Sequence, residues 1–353
     1  MFSKKRTYGG FFVAVAFVVL ILSSTVTTGH NALLVKDNTI DHHDLINIGI
    51  RTIKKQFPPL HRYPALLTRL FCMELHTWYT QQPDIRFVSY TDPTMTICYT
   101  DGTYSLLLDV PGLLQNKHVS PSSHNVDVSS CSFQDQKQAL ILNPSEYLYG
   151  NRHCIKIIKI LLKYGFSVTY QSNQQVNLSL IKNKLSRDII YMNSHAGYWD
   201  IDGDQTADVV VVATGEHWTN QTPMQYPFEF EHHMIVEGIV GSTSFICFTP
   251  LLINYYYPQD TLPNSLIYMA TCHACYNDSM AQAFLTAGAD VYLGWSGNTA
   301  YWINSKTSVQ TFKMLALDFT IHQISCFIRY GGFMNRIVHS KLVYFGNGQY
   351  RLR

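Results

Sequence analysis

The stretch 265–275, SLIYMATCHAC, ends an apolar run in Thr271-Cys272-His273 and places a second cysteine at Cys275. Four chemistries suit that pattern: a metal clip, a redox pair, a disulfide partner, or a thiol nucleophile. A thiol is only a few per cent ionised at neutral pH, so a nucleophilic cysteine needs a base. Upstream, DIIYMNSHAG brings His195 to the end of another apolar run. In open α/β sheets functional groups collect beyond the carboxyl ends of the strands. His195 and Cys272 at two such ends would suit a base and its nucleophile. Gly197 lets a substrate carbonyl approach the backbone, and amides near Gly197 and Cys272 would suit an oxyanion.

Two further groups bear on the chemistry. Asp200, Asp202, Asp204 and Asp208 in WDIDGDQTAD alternate around Gly203, an arrangement suited to calcium or to an acidic pocket wall, and equally to a solvated turn. Cys272 and Cys275 would need two more ligands to hold zinc, for which His232 and His233 are available. As a CxxC redox pair they sit at the wrong place in the chain, because that motif opens the helix after an early strand.

The elements that must position these groups follow from the hydrophobic pattern. Residues 41–82 read as helical, with a break at Pro58-Pro59. TMTICYTDGTYSLLLD reads as a hairpin turning at Asp101-Gly102. Residues 116–136 are polar and serine-rich, which places a boundary near residue 130. Strands then alternate with helices: KQALILNP, a helix closed by Gly165, FSVTYQ, LSLIKNKLS, DIIYMNS, SFICFTP, SLIYMATC, SMAQAFLTAGA, DVYLGWS, and helices near 304–317 and 320–329. That rhythm implies an α/β fold, a mostly parallel sheet with helices on both faces, behind a smaller N-terminal α+β region. Neither a repeat nor a glycine-rich phosphate loop is present.

The pair YMNSHAG and LIYMATCHA resembles the caspase–legumain–gingipain superfamily of cysteine peptidases, over roughly residues 136–300. The resemblance implies a caspase-like sheet, His195 as general base and acid, Cys272 as nucleophile, and Gly197 with the Cys272 amide at the oxyanion. It further implies that Trp295, Ser296 and Gly297 pair with substrate backbone. The chain departs from the family in reading His-Ala-Gly for His-Gly and in placing His-Ala after the cysteine. It also separates the two residues by more than the roughly 50 positions of caspases, which implies an insertion around DVVVVATGEHW…EFEHHMIVEG.

Composition sets the context. The 353 residues are 46% hydrophobic but 14% charged, with a net charge of +2 that gives no reason to expect a nucleic-acid partner. Lys4, Lys5 and Arg6 precede the apolar run Phe11–Leu22, the layout of an export signal that is either cleaved or kept as an anchor over residues 1–29. The expected organisation is that segment, a region 30–130 that is a candidate prosegment, and a caspase-like domain 131–353. The protein would then be extracellular or on the cell surface, touching membrane only through its N-terminal segment. Asn177, Asn220 and Asn277 stand in glycosylation-type triplets. Of the eight cysteines, Cys154, Cys247 and Cys326 read as buried free thiols. The expected activity is peptide-bond hydrolysis on protein or peptide substrates with no cofactor required. A caspase-like binding module without catalysis, and a zinc or redox protein using Cys272 and Cys275, are the alternatives.

Overall fold

Apolar residues alternating along short runs between glycine-marked turns build two sheets. The computed structural model describes residues 41–57, 65–110, 137–262 and 264–352. The apolar run Phe11–Leu22, the break at Pro58-Pro59 and the 116–136 linker lie outside those residues. The body treated below runs from Ile46 to Arg353.

Thirteen strands are present among the described residues: β1 (Ile85–Thr91), β2 (Thr94–Tyr99), β3 (Tyr104–Leu107), β4 (Gln138–Asn143), β5 (Ser167–Ser172), β6 (Ile189–Met192), β7 (Ala196–Trp199), β8 (Val209–His217), β9 (Ile235–Val240), β10 (Thr243–Phe248), β11 (Leu266–Met269), β12 (Val291–Trp295) and β13 (Leu342–Gly346). The six-stranded sheet runs β13-β12-β11-β6-β4-β5. Its neighbours are parallel except at β13, which is antiparallel to β12. This is the α/β fold class expected from the sequence, and the sheet is consistent with a caspase-like one.

Strand periodicity explains the layers. In β11, Leu266 and Tyr268 face the helices Arg152–Lys163 and Tyr301–Ala316 through Ile157, Leu161, Ile303 and Phe312. Ile267 and Met269 face the opposite way, toward Leu252 and Ile253 of the helix Pro250–Tyr256 and Met280 and Phe284 of the helix Ser279–Thr286. Burial on both faces is why these strands read as unbroken apolar runs.

The second sheet runs β1-β2-β3-β9-β10-β8-β7 and is mixed. The hairpin at Asp101-Gly102 joins β2 and β3 antiparallel, with Gly102 in the left-handed region. β3 then lies parallel to β9. SFICFTP, counted above with the parallel strands, belongs here instead as β10, antiparallel to β8 and β9. The reason is local: the tight turn at Gly241 (φ +66°) folds β10 straight back on β9, and an apolar run alone does not report strand direction. The region 208–238, where an insertion was expected, holds β8 and the start of β9.

The two sheets meet where β8 passes the turn Asn173–Gln175 that follows β5. The Gly215 N–H donates to the Val176 carbonyl at 2.7 Å. A Cβ at Gly215 would fall 1.8 Å from the Asn173 carbonyl oxygen, a backbone atom that cannot rotate away. Gly215→Ala is therefore expected to cost about 3 kcal/mol by forcing the two apart. Gly102→Ala meets nothing within 4 Å and should cost about 1 kcal/mol through its backbone conformation alone. Urea unfolding of the two variants checks the contrast; equal losses would mean that the junction yields.

Candidate functional site

The carboxyl ends of β6 and β11 define the site. These strands are parallel neighbours, with Met192 opposite Met269. His195 and Cys272 each stand three residues beyond that pair. The Ala270 N–H donates to the Met192 carbonyl at 2.8 Å, which carries the pairing one step past the strands before they part.

A row of buried amides runs under these ends. Asn143 closes β4 and Asn193 follows β6; the Asn193 Nδ2 donates to Asn143 Oδ1 at 2.7 Å. From the helix Tyr301–Ala316, Asn304 donates through Nδ2 to Asn193 Oδ1 (3.2 Å) and to the Ala270 carbonyl (2.6 Å). Asn304 Oδ1 accepts the Trp295 indole N–H at 2.9 Å. At the other end Asn143 reaches the Tyr170 hydroxyl, which donates to buried Glu146. The row therefore links the ends of β5, β4, β6, β11 and β12. Its sequence signal is the asparagine after each of two apolar strands, in ILNP and YMNS.

Cys272 is partly accessible. Its Sγ lies 3.4 Å from the Thr299 carbonyl, to which the S–H donates, and accepts the Thr299 N–H at 3.3 Å. Burial pushes the thiol up to about 11; the Thr299 N–H pulls it down and the Asp109 carboxylate pushes it further up. Thr299 is itself held by the buried Asn335, whose Nδ2 donates to Thr299 Oγ1 at 2.9 Å. The Tyr149 ring lies 5.8 Å from the His195 ring and stacks on Tyr301 at 4.2 Å. Burial raises the Tyr149 phenol, and the Asp109 and Cys272 charges raise it further. Tyr149, Thr299 and Asn335 are site neighbours that sequence reasoning missed, because none belongs to a spaced motif.

The remaining expected residues fall as follows. Gly197 is buried in β7 opposite Val211, and a Cβ there would meet Thr94 Oγ1 at 2.4 Å. The Ala213 N–H donates to the His195 carbonyl; alternation along an antiparallel ladder then makes Gly197–Val211 a hydrogen-bonded pair too. Trp295 is buried; its carbonyl accepts the Cys275 N–H, and the Gly297 carbonyl accepts the His273 N–H. The Ser296 N–H donates to Lys341 and its Oγ accepts the Lys341 N–H. Trp295 and Gly297 thus meet the segment that carries Cys272, and Ser296 meets Lys341 instead. No disulfide links Cys272 to Cys275, whose Sγ points to the Val343 carbonyl at 3.6 Å inside the core. Cys154 and Cys247 are buried as expected, whereas Cys326 is exposed on the helix Ile321–Phe327, whose apolar pattern continues to the surface.

The acidic loop gathers a different trio from the one read in sequence. Ligand oxygens of Asp200, Asp202 and Asp208 lie within 4.8 Å of one another, the one such group of potential metal ligands among the described residues. Asp204 instead accepts the Thr206 N–H and hydroxyl, which hold its carboxyl below the usual range. Asp200 is buried and accepts the Gly203 and Gln205 N–H groups. His232 binds the Phe228 carbonyl through Nδ1, and His233 packs edge-on to Trp199. Neither joins a group with a cysteine.

Comparison of the chain with family models, curated proteins and solved structures finds no match.

Two buried histidines frame the site, and burial lowers each to about 4. His153 lies between the Tyr301 hydroxyl at Nδ1 and Cys154 at Nε2. His273, at a left-handed φ of +56°, bonds Asn298 Oδ1 through Nε2. Each folded pKa is below the unfolded value near 6.5, so unfolding takes up a proton between the two. Their contribution is complete above pH 6.5 and is lost as pH falls toward 4, by about 3 kcal/mol per residue at the acid limit. Melting temperature should fall steadily from pH 6.5 to 4.5, and His153→Gln should flatten that fall. An unchanged slope would place the acid sensitivity elsewhere.

Proposed function

We propose that this protein is an exported cysteine peptidase of the caspase–legumain–gingipain type, with Cys272 as nucleophile and His195 as general base and acid. The observation that carries the reading is the matched placement of the two residues, each three positions beyond a facing pair on adjacent parallel strands. Tyr149 packed on the His195 ring encloses the histidine.

In this reading His195 takes the thiol proton and Sγ attacks the scissile carbonyl, forming the S–C bond. The oxygen of the tetrahedral intermediate is received by the Cys272 N–H, since the ladder occupies the Gly197 N–H. His195 then returns its proton to the leaving amine, the C–N bond breaks, and water hydrolyses the thioester with His195 again as base. The Thr299 N–H is a ready donor to the sulfur as it becomes anionic. With the thiol pushed up to about 11, neutral-pH attack requires the histidine. That same raised thiol, with its S–H on Thr299, is what favours the rival reading of a caspase-like binding module without catalysis.

Cys272→Ala is expected to abolish peptide-amide hydrolysis with the fold intact. His195→Ala should lower kcat by about 10²- to 10⁴-fold, and the double variant should be little worse than Cys272→Ala, because the two act as one unit. Kinetics of the three variants, with mapping of a thiol-directed covalent probe, decide the matter. Additive losses would end the dyad, and a native chain that neither hydrolyses nor takes the probe at Cys272 would favour the binding module.

For the acidic loop we propose calcium, held by Asp200, Asp202 and Asp208. Two exposed carboxylates crowded against a buried one repel each other, and a hard cation with oxygen ligands relieves that. Millimolar calcium should raise the melting temperature of the native chain by several degrees and leave Asp202→Asn unmoved. Equal behaviour of the two proteins would reduce the loop to a turn built on its backbone N–H groups.

A further inference from the structure

The C-terminal part of the chain carries a surface that the catalytic reading does not use. Residues 319–353 contain Arg329, Arg336, Lys341, Arg351 and Arg353 and not one Asp or Glu. Arg351 is paired with Asp318 at 2.8 Å. Arg329 and Arg336 instead flank the Tyr330 ring, their guanidinium carbons 5.9 and 5.4 Å from its centroid. Arg336 lies on the short helix Phe333–Ile337, one turn from Phe333 and so on the same side of it. Phe333 is 74% exposed, and Val338, just past the helix, is 52% exposed. Phe327, which closes the preceding helix, is 71% exposed.

Phe327, Phe333 and Val338 are large apolar side chains left to solvent within one short stretch. Here they are interleaved with exposed cations and with a tyrosine, the composition of a segment that lies in a lipid headgroup layer: rings enter the acyl boundary while guanidinium groups meet phosphate. A protein partner of ordinary mixed charge would gain little from a face whose charged groups around Tyr330, Arg329 and Arg336, are both cationic. An anionic surface gains from each of them.

We infer that the surface formed by Arg329, Tyr330, Phe333 and Arg336 docks on an anionic membrane. The contact is peripheral and acts beside any anchoring by the apolar run Phe11–Leu22. It does not depend on Cys272 or on catalysis.

The test is co-sedimentation of the full chain with phosphatidylcholine vesicles, with and without about a third phosphatidylserine. Binding to phosphatidylcholine alone reports the N-terminal apolar run; the increment on adding phosphatidylserine reports this surface. The increment should be at least tenfold at 0.1 M salt and should shrink at 0.5 M. Arg329→Glu/Arg336→Glu should remove it, at about fivefold per cation lost. Phe333→Ser should weaken binding to the mixed vesicles while leaving the salt dependence in place. Circular dichroism melting of each variant shows that the fold is kept. An increment that is absent, or that survives the double charge reversal in a folded protein, overturns the inference. So does self-association or oligonucleotide binding that the same variants abolish without any effect on lipid.

Discussion

The hydrogen bond from Asn193 to Asn143, continued through Asn304 to the Ala270 carbonyl and Trp295, joins strand ends that would otherwise be separate loops. Past its last ladder bond a parallel strand has backbone groups to satisfy, and in a buried setting each unsatisfied group costs about 1–3 kcal/mol. Side-chain amides answer that need because each carries two donors and an acceptor. Here they are spaced so that one amide serves two strands. The loops holding His195 and Cys272 depart from this row, so their starting points are fixed by buried bonds rather than by loop packing. A half-satisfied network of this kind would be worse than an apolar one, which makes the three asparagines interdependent.

Burial also sets the electrostatic character of the region. His153 and His273 are held neutral and Cys272 is held protonated, all three chiefly through loss of solvent. The polar contacts offered to the sulfur come from one residue, Thr299, whose N–H and carbonyl both reach it. Asn335 in turn keeps Thr299 in place. The short helix bearing Asn335 also carries Phe333 and Arg336 outward, so one element bounds both the thiol's surroundings and the basic aromatic surface.

Much of this was legible in the chain. Apolar runs buried on both sides gave the strands of the six-stranded sheet their place, and Gly165 and Gly102 marked turns that the backbone adopts at positive φ. His195 and Cys272 were legible because a reactive side chain after a strand is a local pattern. Strand direction was not: SFICFTP has the same composition whether its neighbour runs parallel or antiparallel, and only the turn at Gly241 decides. The metal trio was half legible, since alternation selects Asp200 and Asp202 but the fold of the loop brings Asp208 rather than Asp204. Thr299 and Asn335 were hidden because their contacts join segments far apart in sequence, and no local spacing encodes such a meeting.

That His195 and Cys272 follow adjacent parallel strands has a consequence for how much the chain between them can change. Strands in a sheet lie about 4.8 Å apart, a spacing dictated by backbone hydrogen bonds and indifferent to what the connection contains. All of β7 to β10 sits within that connection. Lengthening a connection costs only logarithmically in closure entropy, so growth beyond β8 leaves the strand ends where they are, whereas loss of β8 would remove the Ala213 N–H that holds the His195 carbonyl. A one-residue slip between β6 and β11 would displace one residue against the other by a full residue rise, about 3.3 Å along the strand, and turn every apolar side chain of the slipped strand to the wrong layer.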